Sequence, residues 1–188
     1  MVSRLASVLI FFLLQGVARA QEEPPIESWF PKLRTGMWIE VDGALTPDRV
    51  LEATVIKLLD GELDEWQIET NVLSVDTKRR TIMSTFGMLF VSTPKTVLKG
   101  PKKDAIDFAF FGVDDRIEVE GRLQKDGSLL ADELEVEKSK KLKPDLQPKN
   151  HHQLRTRIES VDAEKLQITT MGIKVQLSAQ TRNKTAIE

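Results

Sequence analysis

The 188-residue chain carries 27 Lys and Arg against 29 Asp and Glu, a formal net charge of −2, and it has no cysteine. Without thiols there are no disulfides, no thiolate metal sites, no lipid attachment through a lipobox and no covalently bound c-type haem, so a hydrophobic core must hold the fold together. A mildly acidic chain also lacks the basic excess that nucleic-acid binding normally shows.

The chain opens "MVSRLASVLIFFLLQGVARAQEE". Arg4 lies in a short leader, an apolar run follows from Leu5 to Leu14, and Ala18-Arg19-Ala20 precedes Gln21, which is the three-part layout of a secretory signal peptide. Residues 1–20 are therefore expected to be a cleaved signal peptide, with the remaining chain periplasmic or secreted. The apolar run is shorter than the roughly 20 residues a membrane span needs, and no second run follows, so no transmembrane span is expected. Next come Trp29 and Phe30, a bulky apolar pair in "ESWFPKL" and a candidate for recognition of a partner.

"WIEVDGALTPDRVLEATVIKL", residues 38 to 58, reads as a β-hairpin. Ile39, Val41, Gly43 and Leu45 alternate with polar residues, Thr46-Pro47-Asp48-Arg49 supplies turn formers, and the apolar positions change parity after Ala53. Side chains alternate strictly along a strand, so a change of parity predicts a β-bulge. "DGELDE", residues 60 to 65, reads as an acidic connecting loop; it is the feature on which calcium or small-ligand binding would rest, although the positions completing an EF-hand loop are absent.

"VLSVDTKRRTIMSTFGMLFVSTPKT", residues 72 to 96, reads as strand, polar turn, strand, glycine bend, strand. Its third strand is apolar on both faces, with Leu89 and Val91 opposite in parity to Met88 and Phe90. The outer face of that strand is thus expected to be covered by another barrel or a partner. "KKDAIDFAFFGVDD" predicts a short helix around Asp104 to Phe111, and Phe108, Phe110 and Phe111 cannot all point the same way along it. Some are expected to plug a barrel end, and any left exposed would mark a partner surface.

"RIEVEGRLQKDGSLLADELEVEK", residues 116 to 138, repeats the first hairpin at an offset of 78, with Ile117, Val119, Gly121 and Leu123 on Ile39, Val41, Gly43 and Leu45 and the same parity change after Ala131. "IESVDAEKLQITTMGIKVQLSAQT", residues 158 to 181, repeats the three-strand piece at offsets of 86 and then 85, with Lys174 and Gln176 in the places of Leu89 and Val91. The order along the chain is hairpin, three strands, hairpin, three strands. Three strands, a helical connection and a hairpin, residues 67–138, make an OB-type five-stranded barrel. The run "SVD…I…G…V…T" followed by "GVDDRIEVEGRLQKDGSLLADELEV" resembles a family of small, often repeated OB-like β-barrel domains of exported bacterial proteins with no assigned function. That resemblance implies a fold and supplies no catalytic residue.

The first hairpin and the last three strands are left over, and neither closes a barrel alone. Bare sheet edges are avoided in natural proteins, which leaves three solutions: the leftovers meet in one molecule, they pair between molecules, or a partner's strand completes the sheet. Chain ends often lie close together, favouring the first. The expected fold is thus all-β: one OB-like barrel over 67–138 and a second, discontinuous barrel from 33–58 plus 153–188, joined by a linker, 139–152, that includes His151 and His152.

These are the only histidines, and neighbouring side chains on a strand point to opposite faces, so they read as a solvated pair rather than metal ligands. Neither can serve a Ser/His/Asp triad from a polar linker, no phosphate-binding glycine loop is present, and no cofactor is expected. Basic residues at Lys78-Arg79-Arg80 lack the aromatic partners that single-strand binding uses. The expected function is a non-enzymatic interaction module or accessory subunit of a cell-envelope assembly, with an envelope protein or another copy as partner. A small-ligand or calcium-binding protein is the alternative.

Overall fold

The computed structural model describes residues 24–61, 63–137 and 151–185. The expected signal peptide and residues 139–150 of the expected linker lie outside them.

The fold is all-β, and two circuits of paired strands share one sheet. The central barrel uses β3 (Trp66–Asp76), β4 (Thr81–Ser84), β5 (Leu89–Val91), β7 (Arg116–Leu123) and β8 (Leu129–Val136). β3 pairs antiparallel with β4, β4 with β5, β7 with β8, and β7 returns to β3. β5 runs parallel to β8, which is the OB-type strand order. The ring closes unevenly: this parallel seam holds only Phe90↔Leu129 and Val91↔Leu130, after which β6 (Val97–Lys99) takes over along β8.

The second circuit answers the question of the leftover strands. β1 (Trp38–Leu45) and β2 (Val50–Leu59) pair with each other, β1 pairs with β9 (His151–Arg157), and β2 runs parallel to β12 (Ile173–Gln176) and β13 (Arg182–Asn183). β11 (Gln167–Thr170) pairs with β12 and with β10 (Ser160–Asp162), which continues β9 after a break at Ile158 and Glu159. The N-terminal hairpin and the C-terminal strands therefore complete one another in a circularly permuted barrel.

Both hairpins bend at the expected place. Asp42 faces Val55 while Gly43 faces Ala53, so Thr54 is the extra residue; Glu120 faces Glu133 while Gly121 faces Ala131, so Asp132 is extra. The bend explains the glycines, because a Cβ on Gly43 would sit 2.4 Å from the Glu52 carbonyl oxygen and one on Gly121 2.2 Å from that of Leu130. It also turns a carbonyl away from the ladder in each barrel, and a buried threonine answers it: Thr96 Oγ1 donates to the Ala131 oxygen at 2.7 Å, and Thr181 Oγ1 to the Ala53 oxygen at 2.8 Å.

Each barrel is plugged by a helical turn entering its hairpin. In the permuted barrel this is α1 (Ile26–Trp29) with a 3-10 turn at Phe30–Lys32, burying Ile26, Trp29, Phe30 and Leu33. In the central barrel the expected helix over 104–111 shrinks to a 3-10 turn at Phe108–Phe110, burying Phe108 and Phe111. The residues before it stay extended because they pair with β6: Lys99 bridges Ala105, and Ile106 N–H donates to the Leu98 oxygen at 3.2 Å. Among the described residues no helix is long and apolar enough to cross a membrane.

Candidate functional site

The seven side chains singled out from sequence do not form one surface. Trp29 is 1% exposed and Phe30 2%, and Phe108 and Phe111 are also buried, so these four belong to the core and present nothing to a partner. The cause is the plug: a helical turn ahead of each hairpin closes the open end of a barrel with its largest apolar side chains. Phe110 is the exception at 53% exposed, beside a shallow hollow of about 490 Å³ lined by Ala105, Ile106, Asp107 and Phe110. Leu89 and Val91 point outward from β5, half-buried.

The β-sheet register extends that outward face. Leu89 faces Met83, and Val91 faces Thr81. The β3–β4 ladder slips between Val72 and Ser74, leaving Leu73 as a bulge residue beside Met83 and 50% exposed. The neighbouring loop is tied to the bulge by Asp114 N–H donating to the Val72 oxygen at 2.9 Å, and Val113, just before it, is 63% exposed. Val113, Leu73, Met83, Leu89 and Val91 thus form an apolar band across the outer side of the central barrel.

The permuted barrel has the same register, with Thr169 facing Lys174 as Met83 faces Leu89. At the corresponding positions it carries Thr35, Glu159, Thr169, Lys174 and Gln176, and Lys32 stands where the central barrel has exposed Phe110. Every apolar member of the band has a polar counterpart. A fold requirement would act on both barrels alike, so the difference concerns what the surface meets.

Residues 67–135 match the model of DUF5666, a domain of unknown function. The matched segment runs from β3 to β8, so it is the central barrel, the one bearing the band. No curated protein and no solved structure matches the chain.

Charges gather elsewhere on the same barrel. Along β3, β7 and β8 the outward positions bring Glu118 opposite Glu69 and Glu135, and Glu120 opposite Glu133. Glu69, Glu118 and Glu137 have carboxylate oxygens within 4.8 Å of one another, a spacing that would suit a cation, but Arg116 occupies it: its guanidinium lies 3.2 Å from Glu69 and 3.3 Å from Glu137. Burial, then repulsion from Glu69, raises the Glu137 carboxyl above the ordinary range; burial, then Glu118, raises that of Glu120. The acidic loop contributes to a different hollow of about 300 Å³, where Asp64 and Glu65 stand with Leu63, Trp66, Gln67, Glu120 and Arg155.

The histidines are not a solvated pair in a linker. They open β9, where His151 faces Ala44 and His152 faces Gly43. His151 Nε2 lies 3.7 Å from Asp42, whereas His152 is 0% exposed and holds its ring edge-on to Phe86. The polar look of "KNHHQLRTR" hid this, because a strand residue facing a barrel seam is buried whatever its hydropathy.

Proposed function

We propose that this chain is an exported, non-enzymatic interaction module in which the permuted barrel serves as scaffold and the central barrel docks a protein partner. The observation that carries the reading is the apolar band Val113–Leu73–Met83–Leu89–Val91, matched position by position by polar residues on a second barrel of the same register. The partner that fits is a protein presenting its own apolar strip, since the hollow beside Phe110 is shallow and does not enclose a small molecule. The three-part N-terminal sequence supports an encounter in the periplasm or outside the cell.

The test is a photo-cross-linking residue at position 89 in intact cells, with position 174 on the other barrel as control. A discrete adduct at 89 and none at 174 supports docking on the central barrel; an adduct containing two copies of this chain identifies self-association as the form it takes. Equal yields at both positions, or none at either, overturns the proposal. Leu73→Glu with Leu89→Lys, which installs the permuted barrel's residues, should abolish the adduct at a neighbouring probe at position 83 while leaving thermal unfolding within a few degrees of the parent.

A second reading rests on the hollow where Asp64, Glu65 and Glu120 converge, which would take a cation or a cationic small ligand. Binding there raises the melting temperature with ligand concentration. A flat response to calcium and to simple diamines removes it.

A further inference from the structure

Among the described residues, strand pairing joins the two barrels only at one short seam, where β3 and β9 pair through Gln67↔Arg155, Ile68↔Leu154 and Glu69↔Gln153. Position 68 corresponds to position 154 at the offset of 86, so the seam is a strand meeting its own counterpart about a local pseudo-two-fold. Flanking the central pair, Trp66 and His152 occupy corresponding positions. Trp66 reaches across to Trp38 of the permuted barrel, ring centroids 5.2 Å apart, and His152 reaches across to Phe86 of the central barrel at 5.4 Å. One side of the seam is closed by an indole, which never titrates, and the other by an imidazole, which does.

The imidazole site is built for the neutral form. Nδ1 lies 3.1 Å from Thr70 Oγ1, and buried Nε2 has no hydrogen-bond partner among the described residues. A protonated ring has two N–H donors, and this site offers at most one acceptor. The groups that act on the ring, Arg116 of β7 and His151 beside it, both disfavour its protonated form. The nearby carboxylates are otherwise engaged, Glu69 and Glu137 with Arg116, and Asp42 with His151. β4 and the bend after it present Phe86 to the ring, and β3 presents Thr70.

We propose that the seam is an acid-released latch, in which protonation of His152 parts the two barrels while each keeps its own strand pairings. The surface then freed is the inner side of the seam around Phe86, Thr70 and Trp38. Burial first, then Arg116 and His151, hold the imidazole down at about 4 in the closed arrangement, against about 6.5 for a solvated ring. The closed form is thus fully favoured above pH 6.5, loses ground as the pH falls, and stops losing it below pH 4. By linkage, the open-to-closed ratio rises about 25-fold between pH 7 and pH 5 and about 300-fold in all.

The chain has no cysteine, so a label pair placed by Lys125→Cys and Glu164→Cys, exposed turns on opposite barrels, reports the separation without background. The expected result is a distance that lengthens as the pH falls from 7 to 4 in step with the titration of the His152 ring followed by nuclear magnetic resonance, with the far-ultraviolet circular dichroism unchanged. His152→Gln and His152→Phe should each remove the acid response. The proposal is overturned by a constant distance down to pH 4, by a transition out of step with the ring's titration, by loss of the β-sheet signal together with the distance change, or by an unaltered acid response in either variant that folds.

Discussion

The central and permuted barrels have one architecture and two surfaces. Inside, they agree to the atom type: a threonine hydroxyl on the bulge carbonyl, a glycine under the bulge and a helical plug ahead of each hairpin. Outside, they diverge at every position of the apolar band and in charge. Glu118 and Glu120 of β7 face Glu135 and Glu133, whereas the corresponding Glu40 and Asp42 of β1 face Lys57 and Val55. Closing a small barrel dictates the interior, because the backbone groups at the bulge and the space at the barrel end must be filled in one way. Nothing in barrel closure dictates the exterior. The two copies therefore separate the residues that make the fold from those available for contact, which a single domain does not do.

The interior equivalence is broken hardest at the glycines. Gly121→Val places a side chain on the Leu130 carbonyl, and Gly43→Val does the same at Glu52. Each should cost about 3 kcal/mol, the upper end for overpacking, measured by urea unfolding. Equal losses support interiors under the same constraint; a tolerated valine at either position would show that the bend there is not needed for closure.

Acid should come next. His152 sits lower when folded, about 4, than when unfolded, about 6.5. Its neutral form is the one the fold favours, so the associated stability is complete above pH 6.5 and is lost as the pH falls to about 4. The full effect is about 3 kcal/mol. The permuted barrel's side of the seam, closed by Trp66, has no such dependence, and in His152→Phe the acid limb of a plot of stability against pH should be shallower by that amount.

The threonine pair tests the same comparison more gently. Thr96→Val and Thr181→Val each leave a buried carbonyl unanswered, at a cost of about 1–3 kcal/mol, and each also removes an acceptor for the Thr93 or Ser178 N–H. The two losses should agree within about 0.5 kcal/mol and add in the double variant if the barrels are independent at these distances. A double loss well short of the sum would instead show that the two sites are energetically coupled.

How much of this was legible beforehand follows from the same division. The interior was readable because closure leaves a periodic trace: alternation, a parity change after Ala53 and Ala131, and glycines in register. Pairing of the chain ends followed from counting strands, since an unclosed sheet has bare edges. The plug of the central barrel follows the expectation that some of its phenylalanines fill a barrel end, with Phe108 and Phe111 buried and Phe110 exposed, whereas Trp29 and Phe30 depart from it, because large apolar residues in a short non-periodic segment look alike whether they fill a barrel end or face a partner. Leu73 and Val113 were missed since their exposure depends on a bulge in β3 that shifts no apolar period. His152 was misplaced because the start of β9 is set by pairing with distant β1, which local polarity does not reveal.

The smallest expected effect bears on the exterior. Glu120 faces Glu133 across β7 and β8, and like charges directly opposite destabilise a sheet by about 0.2–1 kcal/mol. Burial, then Glu118 and Glu133, raises the Glu120 carboxyl. The folded state therefore binds that proton more tightly than the unfolded chain does. Stability associated with Glu120 is present below the unfolded pKa of a glutamate and is lost as the pH rises through the higher folded value. Glu120→Gln should accordingly stabilise the protein by about 0.5 kcal/mol at pH 7 and make no difference at pH 4, whereas Asp42→Asn, at the corresponding position beside His151, should gain nothing at pH 7. A thermal unfolding series at the two pH values reads all three outcomes. A gain at Asp42 equal to that at Glu120 would mean that the barrels differ in charge without differing in repulsion, and that the acidic face has no bearing on stability beyond net charge.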